Sequence, residues 1–115
     1  MLNLSVYPKN EEPIVLDISE NYYEKLAHTG IGNIGQYKSY KMSVDGESYE
    51  IDAVKLDFET RRKLLDILEE ERHKELVNIF NKSSEISDKE LDYVRLLTSL
   101  YEMIRSEQNI YFSCE

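Results

Sequence analysis

The stretch Ser39-Tyr40-Lys41-Met42-Ser43-Val44-Asp45-Gly46-Glu47-Ser48-Tyr49-Glu50-Ile51-Asp52 decides the fold class. Asp45-Gly46 is a two-residue turn in which both positions tolerate positive φ, the strongest short-range signal for a β-hairpin. Centring the turn there sets Met42 opposite Tyr49, Lys41 opposite Glu50 and Tyr40 opposite Ile51. One face then carries Tyr40, Met42, Val44, Tyr49 and Ile51. The other carries Ser39, Lys41, Ser43, Ser48, Glu50 and Asp52. One apolar and one polar face is what a half-buried antiparallel pair requires. The alternation breaks at Ala53-Val54, which predicts a bulge or a strand end there.

Upstream, Leu2, Leu4 and Val6 alternate over residues 2–7, and Ile14, Leu16 and Ile18 alternate over 14–18. Period two over short runs means strands with one buried face. Pro8 and Pro13 bracket the connection, which predicts a second hairpin. Ser19 offers a helix N-cap, and Tyr22, Tyr23, Leu26 and Ala27 give about two turns of amphipathic helix. A helix that short is stable only when packed on something else.

Downstream, Asp57 precedes a helix expected over 58–81. Phe58, Leu64, Leu65, Leu68, Leu76 and Ile79 share its apolar face, interrupted by Arg61 and Arg72. Ser83 and Ser84 fall in the following loop, and Ser87 with Glu90 forms a capping box. A last helix over 88–107 presents Tyr93, Val94, Leu97, Leu100, Tyr101 and Ile104. The short connection makes the two helices antiparallel neighbours. The apolar tail Ile110-Tyr111-Phe112 is expected to dock as an edge strand. The reading is a single α+β domain over residues 1–115. It has an antiparallel sheet of about four strands in two hairpins, one short helix, and a C-terminal two-helix antiparallel hairpin packed on one face.

The 115 residues are 41% hydrophobic and 32% charged, an ordinary globular composition. A chain of this length buries roughly two-thirds of its unfolded surface, enough for one core without staples. Residues 1–8 lack the basic-then-apolar pattern of a signal peptide. No stretch approaches the ~18–20 apolar residues of a membrane span. Cys114 is the one cysteine, so an internal disulfide is excluded and a cytoplasmic location is expected.

Gly30-Ile31-Gly32-Asn33-Ile34-Gly35 matches the G-x-G-x-x-G pattern. Dinucleotide binding requires a strand before it and a helix after it, and here that order is inverted. The same residues resemble the glycine-rich loop of protein kinases, with Ala53-Val54-Lys55 after the hairpin and Glu69 or Glu70 on the next helix. That likeness implies a phosphate-covering loop and a Lys–Glu pair. No His-Arg-Asp or Asp-Phe-Gly segment follows, so the base and metal ligands of phosphoryl transfer are missing. The glycines are instead read as a tight loop between helix and strand.

Glu69 and His73 stand at i, i+4, but a structural zinc needs about four ligands and the only other histidine is His28. Neither a catalytic set, a metal set nor a cofactor is expected, and the chain is read as a non-enzyme. Cys114 is read as incidental.

The net charge is −9. Phosphate-backbone binding needs clustered Lys and Arg, so direct nucleic-acid contact is not expected. The long helix is nearly balanced, with Glu59–Lys63 and Glu70–Lys74 in favourable i, i+4 order. The imbalance lies in the β half. Glu11, Glu12, Asp17, Glu20 and Glu24 come with no base between them; six acids from Asp45 to Glu59 come with Lys55 alone. If adjacent, these stretches form one negative patch bordered by tyrosines. Glu11, Glu12, Glu20, Glu24, Asp45, Glu47, Tyr49, Glu50 and Asp52 are therefore the expected partner-binding residues. Charge steers encounter and tyrosine supplies rigid contact area. The function expected is stoichiometric binding of a protein with a basic surface, with the gross character of toxin-immunity proteins and phage inhibitors of host defence. A nucleic-acid mimic and a non-catalytic assembly subunit are the alternatives. No membrane partner is expected, and a homodimer is compatible with this reading.

Overall fold

The computed structural model describes residues 2–9, 11–81 and 88–114. In chain order it contains β1 (Leu2–Pro8), β2 (Ile14–Ile18), α1 (Glu20–Ala27), a 3-10 turn (Ile31–Asn33), β3 (Lys38–Val44), β4 (Glu47–Lys55), α2 (Phe58–Phe80), α3 (Asp88–Arg105) and β5 (Asn109–Cys114). The fold is α+β. Five antiparallel strands run in the order β2-β1-β5-β4-β3, and the helices pack with the sheet.

The β3–β4 register pairs Met42 with Tyr49, Lys41 with Glu50 and Tyr40 with Ile51, as the turn dictates. Asp45 (φ 51°) and Gly46 (φ 83°) both occupy the left-handed region, the geometry that matches the twist of the flanking strands. The β1–β2 register sets Leu4 against Leu16 and Val6 against Ile14. α1 and α2 are capped by the side chains that precede them. Ser19 Oγ accepts from the Tyr22 amide at 3.4 Å, and Asp57 Oδ1 accepts from the Thr60 amide at 2.8 Å. The Ser83-Ser84 loop and the Ser87 half of the capping box lie outside the described residues.

The apolar tail is not an edge strand. β5 lies at the centre of the sheet, pairing with β1 from Leu4↔Cys114 to Pro8↔Asn109 and with β4 at Val54↔Phe112 and Lys55↔Tyr111. β5 is covered on both faces, by the helical core at Phe112 and by a second cluster at Tyr111, so its buried residues need not alternate. Asn109, Phe112 and Ser113 are all buried.

Each face of the sheet has its own cluster. On one, Leu4, Val6, Ile18 and Phe112 meet Leu26 of α1, Leu64 and Leu68 of α2, and Tyr93, Leu97, Leu100 and Ile104 of α3. Full burial of such a side chain contributes about 1.5–3 kcal/mol. On the other, Met42, Ile51 and Ala53 are covered by Tyr7, Tyr40, Tyr49 and Tyr111. The Tyr40 and Tyr111 rings stack with centroids 4.2 Å apart. The broken alternation at Ala53-Val54 marks the point where β4 changes surroundings. Beyond it β4 pairs with β5, and Ala53 and Val54 are both buried.

Phe58, expected on the apolar face of α2, is 79% exposed at the first position of the helix. Arg61, which looked like an interruption, is a junction. Its guanidinium donates to the carbonyl oxygens of Ile104 (2.6 Å), Ser106 (2.7 Å), Leu56 (3.0 Å) and Asn109 (2.9 Å). One side chain thus joins the β4–α2 and α3–β5 connections.

Candidate partner-binding surface

The sheet brings the tips of the two hairpins together. Glu12, Pro13 and Val15 from the β1–β2 hairpin and Val44, Asp45, Glu47 and Tyr49 from the β3–β4 hairpin line one cleft. Three carboxylates and no base line it, while Pro13, Val15, Val44 and the Tyr49 ring supply apolar wall. Glu12, Asp45 and Glu47 are exposed and have no ion-pair or hydrogen-bond partner among the described residues. The Tyr49 hydroxyl is buried and has no hydrogen-bond partner among the described residues.

Of the nine residues expected to bind a partner, Glu12, Asp45, Glu47 and Tyr49 line this cleft, and Glu11 is exposed beside it. Glu50 and Asp52 are exposed but fall on the opposite face of β4, in register with Lys41 and Ser39. Glu20 and Glu24 are exposed on α1. That helix packs on the other side of the sheet, with Leu26 in the helical core and the Tyr22 ring 5.3 Å from Tyr93. The acids of the β half therefore occupy three surfaces.

A second cleft, lined by Lys25, His28, Thr29, Ile67, Glu70, Glu71, Lys74 and Glu75, lies where α1 meets α2. Its charges are largely committed. Lys25 pairs with Glu75 (3.6 Å), Lys74 pairs with Glu70 (3.4 Å), and Tyr93 donates to Glu71 Oε1 (3.2 Å). Lys25 Nζ also stands 4.7 Å over the Tyr93 ring. Burial foremost, then the neighbouring Glu71, holds the Tyr93 phenol well above the ordinary tyrosine range. This set of contacts fastens α1 to the helical pair.

The motif-bearing residues have structural employment. Gly30 (φ 82°) precedes the 3-10 turn in the left-handed region. A Cβ on Gly35 would stand 2.3 Å from Val54 Cγ1, so any larger residue there must displace the Val54 side chain or the loop. The loop follows a helix and leads into a strand, and Glu69 and Glu70 pair with Arg72 and Lys74 rather than with Lys55. Both phosphate-loop patterns therefore lack their structural setting. Glu69 is engaged by Arg72 at 3.6 Å, and among the described residues no three His, Cys, Asp or Glu side chains converge as metal ligands would. Cys114 packs against the helical core, its thiol raised by burial. Among the described residues no helix is long and apolar enough to cross a membrane.

No protein-family description, no curated protein and no solved structure matches this chain.

Proposed function

We propose that the protein binds a basic protein partner stoichiometrically, in the manner of an inhibitor or immunity-type protein, and that the cleft between the hairpin tips holds the partner. The supporting observation is the convergence of Glu12, Asp45 and Glu47 with Pro13, Val15, Val44 and Tyr49 in one concavity that no base lines. An arginine or lysine entering it would lay its aliphatic stem on the apolar wall and its charge among three carboxylates. On α2 and α3 several acids are engaged in the pairs Glu69–Arg72, Glu70–Lys74, Asp92–Arg95 and Glu102–Arg105, so acid and base alternate there. That balance disfavours a nucleic-acid mimic, which needs unpaired carboxylates along an extended face.

Affinity capture with the chain as bait tests the reading. A basic protein should be retained at low salt and released as salt rises, mostly through a slower association rate. Asp45→Lys with Glu47→Lys should abolish capture, whereas Asp66→Lys with Glu70→Lys on the helical layer should leave it. Capture indifferent to both pairs of substitutions and to salt would refute the cleft as the site.

A further inference from the structure

We propose that the outer edge of β2 receives an extended, lysine- or arginine-bearing segment of the partner, which joins the sheet as a sixth strand. This rests on the reading that the partner is basic and says how it is held.

The sheet has two edges, β2 and β3, and they differ. An edge strand displays unpaired main-chain groups, and proteins guard such edges with lysines, prolines or bulges. β3 carries exposed Lys38 and Lys41. β2 reads Ile14-Val15-Leu16-Asp17-Ile18, with no lysine or proline and an unbroken five-pair register to β1. Ile14 and Val15, which alternate to opposite faces, are 44% and 51% exposed. Such an edge offers main-chain pairing with an apolar side chain available on either face, the basis of recognition by strand addition.

Charge selects the occupant. Exposed Glu11, Glu12, Asp17 and Glu20 flank or lie within β2, and no base occurs from Glu11 to Glu24. A second copy pairing edge to edge would set these acids against their own kind, whereas a basic strand complements them. Pro13 and Val15 also line the hairpin-tip cleft, so the end of the added strand beside Ile14 reaches Glu12, Asp45 and Glu47. Edge and cleft form one continuous track.

The probe is a heptapeptide of alternating lysine and valine, compared with the same peptide methylated on every backbone nitrogen. The methylated form keeps the charges and side chains but cannot donate a strand hydrogen bond. Amide exchange and chemical shifts should show protection of residues 14–18 by the first peptide and none over 38–44. The methylated peptide should bind at least tenfold more weakly. Val15→Lys, which guards the edge, should weaken binding tenfold, while Ser43→Lys on β3 should not. Equal, salt-sensitive binding of both peptides, or protection at β3, overturns strand addition and leaves the acidic cleft standing. Failure of both peptides to bind refutes strand addition and the cleft together. A dimer of the free chain with residues 14–18 already protected assigns the edge to a second copy and overturns the proposal.

Discussion

The Arg61 guanidinium donates to the carbonyl oxygen of Asn109 at 2.9 Å, across 48 positions of sequence. With its bonds to Leu56, Ile104 and Ser106, it satisfies carbonyls at the entry to α2, the end of α3 and the start of β5. Arg61→Met should remove the charged donor from all four carbonyls, of which Ser106 keeps the Asn109 amide, and cost about 2–4 kcal/mol in denaturant unfolding. Arg61→Lys should recover only part of this, because an ammonium lacks the planar fork that reaches four oxygens. Full stability in the lysine variant would show that charge alone suffices.

Tyr93 offers a test in alkaline solution. Its folded pKa is raised above the ordinary 10.0 by burial and by Glu71, so the native state keeps the phenolic proton while the unfolded chain releases it. The associated stability is complete below pH 10 and drains away as pH climbs further. Tyr93→Phe should make the decline above pH 10 shallower than in the parent chain. At neutral pH it should cost about 1 kcal/mol, through the lost bond to Glu71. Parallel unfolding profiles from pH 9 to 11 would contradict the assignment.

Gly35 and Val54 should behave as a coupled pair. Gly35→Ala places a methyl where Val54 Cγ1 stands, which should cost about 1–3 kcal/mol. Val54→Ala removes the obstruction, so the double variant should be less destabilised than the sum of the singles. Gly32→Ala meets nothing within 4 Å and serves as the control.

Arg72 pairs with Glu69 on its own helix and sits 5.4 Å over the Tyr101 ring, while Glu102 of α3 pairs with Arg105. The Arg72 side chain is 29% exposed. Arg72→Leu should therefore change stability by less than about 1 kcal/mol, because a partly exposed pair is worth little and leucine keeps the packing on Tyr101. A larger loss on thermal or denaturant unfolding would reveal dependence on the ring contact.

Within the β3–β4 hairpin, position on the strand should decide the effect of charge reversal. Asp45 and Glu47 line the cleft, whereas Glu50 and Asp52 look away from it. Reversal of the first pair should weaken partner capture at least tenfold, and reversal of the second by less than threefold, a contrast between direct contact and screened long-range attraction. Equal losses would mean that overall charge, rather than the cleft, governs binding.

Much of the fold could be read locally. Asp45-Gly46 fixed a complete hairpin register, and Ser19 and Asp57 marked helix starts, because turns and caps are short-range chemistry. The place of β5 could not be read this way. Its neighbours β1 and β4 are distant in sequence, and a run buried on both faces has no alternation to orient it. The same limit governs the site. The acids were visible as composition, but which of them share a cleft depends on how two hairpins lie against one another. Glu12 therefore joined Asp45 and Glu47 while Glu20 and Glu24 went to the helical side. Arg61 did leave a trace, since an arginine within an apolar stripe demands partners, yet backbone carbonyls are invisible to side-chain patterns.

The central position of β5 also imposes an order on folding. Each hairpin can close early from neighbouring residues, on the microsecond scale of such elements. Neither can be joined to the other until residues 109–114 slot between β1 and β4, contacts that reach across half the chain to β4 and nearly all of it to β1. That closure has a large entropic cost before any burial offsets it, so it sets the barrier. The hairpins should be present as fluctuating local structure while the chain is still open. The sheet, the helical core and the cleft between the hairpin tips should then appear together in one cooperative step.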